Sequence, residues 1–425
     1  MKKNFIIILT TIAMLQGRGQ EQQAIDYINR NAVVLDQGNL DQEFEKITSF
    51  DGVRLFGVGE TTHHGKEFYQ MKFELFKYLV EKKGIRIFMM EESFTGAYDI
   101  NKYLQGKDAN ARDLVGNLQF GMLRNEEILS LVNWIRNFND TNVNDKIKFY
   151  GIDCQLGEGL SEVVLQLSQK NGIRLDEVSK RNLDSLSRLR SREGEKDLEK
   201  MHLRDLKTVE EQIVSGFKAA IQYDARDYQQ VLHALDMLSQ YIKFICSPSP
   251  QERDFYMANN VKWIMDEFEV KSKGFIWAHN LHIAKKQETT IMGQYLYNHY
   301  KTGYYALGFD YATGILYSLD YQNRRSSTFN LTAPQSDTYA ATFQKAVAAE
   351  FFLDVKTALK DKDMKKFLSS KKRMLLLGAD GYLTRYAQGR KQDIAEAYDG
   401  LIFIRQITYP LYLNDKLPEF LQIKN

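Results

Sequence analysis

Short apolar runs recur along the chain, and each is followed by sequence with helical spacing. Val53–Val58, Ile85–Met90, Ile147–Ile152, Phe275–Ala278, Tyr304–Phe309 and Leu401–Ile404 have the length and side chains of buried strands. Strands separated by helical patterns require crossover connections. The pattern therefore predicts an α/β fold, with a mainly parallel sheet flanked by helices.

The clearest helix lies between the first two runs. Phe68, Met71, Leu75 and Leu79 repeat at three and four residues, Lys82 and Lys83 fill the last turn, and Gly84 follows as a stop. Residues 113–139 also read as helical. From Glu158 to Lys243 no strand pattern occurs, and the leucine spacing predicts three or four helices inserted between the third and fourth strands. Ser247-Pro248-Ser249-Pro250 ends that insertion. Thr313–Leu331 alternates like a hairpin or a pair of edge strands. The expected organisation is a core from 20 to 157, a helical insertion from 158 to 250, and the rest of the core from 251 to 425.

Lys2-Lys3 followed by the apolar run Phe5–Leu15, then Gly17 and Gly19, reads as a secretory signal cut after Gly19. The run is too short to cross a bilayer, which takes about 20 residues. The expectation is a periplasmic or secreted protein with no stable membrane insertion after cleavage. The remaining composition is ordinary for a folded protein, 44% hydrophobic and 26% charged. A net charge of +2 argues against a nucleic-acid partner bound through a basic face. Two cysteines, Cys154 and Cys246, exclude a disulfide scaffold and a four-cysteine zinc site.

Ligands of open parallel sheets bind beyond the carboxyl ends of the strands. Glu60 and His63-His64 follow the first predicted strand, Glu91-Glu92 the second, Asp153 the third, and His279-Asn280-Leu281-His282 the fourth. Taken singly, each is a loop residue or a cap; on that reading Asp153 is a structural cap, and His64 and Glu92 alternate away from their neighbours to face solvent. Acid or imidazole at four strand ends points instead to a site. On a helical wheel Lys72 falls inside the apolar stripe that starts at Phe68. A buried ammonium there requires a carboxylate, and Glu60 and Glu91 are the nearest candidates. There is no Gly-x-Ser-x-Gly, His-Glu-x-x-His or P-loop motif. Carboxylates and imidazoles without a nucleophile imply a positioned water, activated by a general base or by a metal.

Gly59-Glu60-Thr61-Thr62-His63, Lys66-Glu67-Phe68, Met90-Glu91, Tyr150-Gly151-Ile152-Asp153 and Ala278-His279-Asn280-Leu281-His282 occur in this order. Arg253-Asp254 with Met257-Ala258 and the closing Tyr398–Ile404 are weaker matches. Together the set resembles the erythromycin esterase family, over about residues 40–405. The resemblance implies opening of a macrolide lactone by hydrolysis, and hence macrolide resistance, in a cleft capped by the helical insertion. It implies His63 as general base, Glu60 and Glu91 as the acidic residues, Lys72 as the basic position of the first helix, and His279 as catalytic. His282, Asp153, Glu67, Asn280 and Arg253 are expected at the substrate, and Tyr223, Tyr228, Tyr241 and Phe244 along an aromatic wall. No cofactor is expected. The alternatives are a divalent metal held by Glu60, His63, Glu91 and His279 in a hydrolase of another ester or amide, and an envelope protein that binds metal or haem.

Overall fold

The computed structural model describes residues 19–190, 196–320, 325–376 and 390–413. The run read as a signal segment lies outside them. In chain order the strands are β1 (Val33–Val34), β2 (Leu55–Val58), β3 (Ile85–Ser93), β4 (Lys148–Asp153), β5 (Lys273–Trp277), β6 (Tyr304–Asp320), β7 (Arg325–Leu331), β8 (Glu350–Asp354), β9 (Arg373–Met374), β10 (Arg390–Lys391) and β11 (Gly400–Ile407). The core pairings are mostly parallel, and helices flank the strands, as the crossover pattern requires. Among the described residues no helix is long and apolar enough to cross a membrane.

The described chain forms two compact units. The first takes the sequence up to Gly84, the short stretch Asn125–Ile128, and everything from Ala278 onward. In it β2 and β11 lie on either side of β6, all parallel, with Val58 opposite Leu307 and Gly400 opposite the same residue. β8 adds antiparallel to β11, and β1 to β8. The helix Lys66–Lys83 buries Phe68, Met71, Leu75 and Leu79 as the spacing predicts. Gly84 ends it in the left-handed conformation at φ 74°, which glycine adopts without strain.

The second unit contains Ile85–Arg124 and Leu129–Trp277. β3 runs between β4 and β5, parallel to both. Phe88 stacks on Phe149 of β4 at 4.9 Å and on Phe275 of β5 at 5.6 Å, so one aromatic row ties the three strands. The helical insertion lies wholly in this unit, as the helices Leu160–Lys170, Glu177–Ser187, Lys196–Ala219 and Ala225–Cys246. They close on their own core, which includes Val164, Leu183, Val209, Ile213, Val231 and Leu238. The Ser-Pro break is also the start of the next helix: Ser249 accepts the N–H of Glu252, and Pro250 takes the first position, where no N–H is needed.

Several elements differ from the pattern reading. β3 and β4 run past their apolar runs, so Glu91 and Glu92 lie within β3 just before its end at Ser93, and Asp153 is the last residue of β4; none is a loop residue after its strand. β6 runs on past its predicted end at Phe309 into the stretch Thr313–Leu331, where it pairs antiparallel with β7 from Gly314 opposite Leu331 to Asp320 opposite Arg325, as the hairpin reading expects. The stretch 113–139 is three pieces, Ala111–Gly116, Gly121–Leu123 and Glu126–Thr141. The break has a cause. The backbone N–H groups of Gln119 and Phe120 leave the helical pattern and bond the buried Glu92 carboxylate at 3.2 and 3.0 Å.

Candidate active site

The loop after β2 has no regular structure between Val58 and Lys66 and begins with a glycine for a spatial reason. A Cβ on Gly59 would lie 2.0 Å from the Asn280 side-chain oxygen, so only glycine lets the two loops meet. Asn280 N–H donates to Glu60 O at 2.8 Å, which fixes the His279 segment against the Glu60 segment.

Glu60 is buried, and both of its oxygens are used. Oε1 lies 2.7 Å from His63 Nδ1, and Oε2 accepts from Lys72 Nζ. Lys72 is fully buried, as its place in the apolar stripe requires. Burial opposes ionisation of Glu60, but the Lys72 ammonium and the His63 ring outweigh it and hold the carboxyl below its ordinary range. A carboxylate at Nδ1 fixes the Nδ1–H tautomer of His63 and leaves the lone pair on Nε2, which has no hydrogen-bond partner among the described residues.

His279 stands beside it, with ring centroids 5.2 Å apart. Its Nδ1 accepts the N–H of Leu281 at 3.2 Å, and its Nε2 lies 3.1 Å from the Thr61 carbonyl. An acceptor at one nitrogen and a donor at the other define a neutral Nε2–H imidazole. His279 therefore braces the loop at Thr61, and its one N–H is committed. His282 follows half-buried, its ring 6.5 Å from that of His279.

The doubled residues separate cleanly. His64 and Glu92 do not face solvent; both are fully buried. His64 Nδ1 lies 2.7 Å from the Tyr412 hydroxyl. Glu92 accepts backbone N–H groups from Ser93, Gln119 and Phe120, and burial without a charged partner pushes its carboxyl up to about 7 against those bonds. Glu67 and Asn280, expected at the substrate, hold backbone. Glu67 accepts the N–H and hydroxyl of Thr408 at 2.5 and 2.7 Å. The Asn280 amide pairs with Phe309 N–H and O at 3.1 and 2.7 Å, as an extra residue of strand would.

In the second unit Arg253 joins two acids. Its Nη2 donates to Glu91 Oε1 at 2.7 Å, and its Nε lies 3.1 and 3.2 Å from the Asp153 oxygens. Asp153 also caps Gln155 N–H at 3.1 Å. Burial works against the guanidinium, but Asp153 and Glu91 more than offset it, so Arg253 stays charged. Cys154, next in sequence, is no nucleophile: burial, then the Asp153 charge, push its thiol far up. Of the residues expected along an aromatic wall, Tyr241 is buried, Tyr228 and Phe244 are half-buried, and Tyr223 is exposed. Tyr223 and Tyr228 pack on Phe217 at 5.3 and 4.7 Å, and the buried Tyr241 donates its hydroxyl to Leu189 O. Tyr241 belongs to the insertion's own core and Tyr228 packs against that core.

No group of three or more His, Cys, Asp or Glu side chains among the described residues is arranged to hold a metal ion. Within the alternative ligand set, Glu60 spends its oxygens on His63 and Lys72, and His279 spends both nitrogens on backbone. Sequence reading missed Tyr69, whose hydroxyl donates to His63 O at 2.9 Å, and Tyr412. Tyr69 falls about 100° around the helix from Phe68, off the stripe that the spacing marks, and nothing local marks Tyr412.

Known proteins similar to this chain are found both by sequence and by fold. The Bacillus subtilis (strain 168) putative hydrolase YbfO is 22% identical over 93% of this chain and 94% of its own. The Escherichia coli erythromycin esterase type II is 25% identical over 60% of this chain and 68% of its own. Among solved structures, a Bacillus cereus protein superposes with a TM-score of 0.80 at 19% identity, covering 93% of this chain and 99% of that one. A mutant erythromycin esterase in its open conformation gives a TM-score of 0.64 at 16% identity, covering 88% and 96%. The family model for erythromycin esterase matches residues 80–407, more than half of the sequence, and with the shared fold this shows that the chain belongs to the erythromycin esterase family.

Proposed function

We propose that the protein is a hydrolase that opens the lactone ester of macrolides with water, using His63 as the general base. The observation that carries this is the His63–Glu60 pair, with Nδ1 held by the carboxylate and Nε2 left with its lone pair. Water bound at Nε2 gives up a proton to it, and the resulting hydroxide attacks the ester carbonyl carbon. When the tetrahedral intermediate collapses, the C–O bond to the ring alcohol breaks. The imidazolium returns its proton to the departing alkoxide, leaving a carboxylic acid and an alcohol. Glu60 stabilises the imidazolium, and a positioned base of this kind contributes about 10²–10⁴-fold. Lys72 acts on Glu60 and keeps it ionised, so it is not the oxyanion partner. His279 has its N–H committed to Thr61, and we assign the donor toward the oxyanion to His282.

All the chemistry of this step comes from the first unit. The reading is metal-independent, because the oxygens and nitrogens a metal would need already carry an ammonium and backbone groups. Family membership and the hydrolase YbfO support hydrolysis, and the esterase type II relative supports a macrolide. The test is incubation with a panel of macrolide lactones and simple aryl esters, followed by mass analysis. A macrolide product heavier by one water supports the reading. Turnover of aryl esters alone would keep the hydrolase and discard the macrolide.

A further inference from the structure

The loop that carries His63 is held from behind by the end of the described chain, and every residue involved belongs to the first unit. Thr408 O accepts the N–H of Lys66 at 2.7 Å, while Thr408 N–H and hydroxyl donate to Glu67. Further along, Leu411 O accepts the N–H of Glu126 at 2.8 Å, and Tyr412 forms an isolated antiparallel bridge with Asn125. The Tyr412 hydroxyl then meets the buried His64 ring at 2.7 Å. Thr408–Tyr412 is thus a strap across the start of the helix and the loop that precedes it.

A second hydroxyl reaches the same loop. Tyr69 donates to the His63 carbonyl at 2.9 Å, and the Asn125 side chain bonds the Tyr69 oxygen. Asn125 Oδ1 accepts Ile128 N–H at 2.8 Å, so Asn125 is itself fixed. Asn125 is the junction of both routes, one through Tyr69 to the His63 backbone and one through Tyr412 to the His64 ring.

We infer that Tyr412 is a positioning residue for His63. His63 and His64 share a peptide plane in a stretch without regular secondary structure. Locking the His64 ring from the far side sets the backbone from which His63 projects, and hence the angle at which Nε2 is presented. Misplacing a base by about 1 Å costs on the order of 10²-fold, so a small loosening is visible in rate.

Tyr412→Phe keeps the ring and removes the hydroxyl that meets His64 Nδ1. The kinetic arm rests on the hydrolase reading; the spectroscopic arm does not. With an ester that the wild type opens, kcat should fall about tenfold with KM changed less than twofold. Adding Tyr412→Phe to His64→Ala should cost nothing more, because both remove the same bond. In long-range ¹H–¹⁵N spectra of the imidazoles, wild-type His63 should show a single Nδ1–H form. Its signals should shift or broaden in Tyr412→Phe while the His279 signals stay in place. If kcat is unchanged, or if the two substitutions add, the inference is overturned. If the wild type opens no ester, the hydrolase reading has failed and the spectra decide alone: unchanged His63 signals overturn the positioning role, and displaced ones uphold it.

Discussion

Lys72 donates to Glu60 from inside the apolar face of the helix Lys66–Lys83, and neither side chain reaches solvent. An ammonium in that position is costly unless a carboxylate meets it, so the pair is one object with two consequences.

They are one for stability and one for activity, and the two can be dissociated. Lys72→Met fits the stripe but leaves Glu60 as a buried charge with His63 alone, and should lower unfolding free energy by about 3–5 kcal/mol and activity by at least about tenfold. Combining it with Glu60→Gln should restore much of the stability while activity stays lost. Urea unfolding and ester turnover on the same three variants check this. If Lys72→Met is as stable and as active as the wild type, the pair contributes nothing.

The neutral form of His279 makes a second prediction. Its Nε2–H brace to Thr61 requires a donor, not a charge. His279→Gln places an amide N–H within reach of the same carbonyl and should retain more activity than His279→Ala, with the difference appearing in kcat. Equal loss in both would mean that the ring itself takes part in the chemistry.

Asp310 gives stability a pH dependence. Its Oδ1 accepts the N–H of Tyr311 at 3.0 Å, while its buried Oδ2 has no hydrogen-bond partner among the described residues. Burial pushes the carboxyl up to about 8 against that one backbone bond. Below the ordinary carboxyl value of 3.8 both folded and unfolded chains hold the proton, and there is no cost. Above it the unfolded chain releases the proton and the folded chain keeps it until about 8, so stability falls as pH rises through this window. For one proton the slope reaches about 1.4 kcal/mol per pH unit. Glu92 adds the same sign between 4.5 and about 7. Urea unfolding at a series of pH values should show a shallower slope in Asp310→Asn than in the wild type; identical slopes would show that Asp310 ionises normally.

The legible part of this fold is the part written in local periodicity. Each core strand of the two units has a run of its own, and the helix from Lys66 carries its stop signals and its one misplaced charge within eighteen residues. Glu60, His63 and Lys72 are readable for that reason: they sit three and twelve residues apart. What is not legible depends on partners far along the chain. His64 and Tyr412 are separated by 348 positions, and no spacing rule connects them. The break at Gln119 and Phe120 is hidden similarly, because the apolar spacing continues while Glu92, 27 and 28 residues earlier, takes the N–H groups. β8 escapes notice because its apolar run is only Phe351–Leu353, and it joins antiparallel beside β11.

The general base is the claim on which the rest depends, and the two adjacent histidines test it within one experiment. Hydrolysis of an erythromycin-type lactone should be followed by mass for the wild type, His63→Ala and His64→Ala. The expected result is a product heavier by one water from the wild type, a loss of at least about 10²-fold for His63→Ala with the fold intact, and a smaller loss, about tenfold, for His64→Ala. If His63→Ala keeps wild-type turnover, the base is not His63 and the account is wrong.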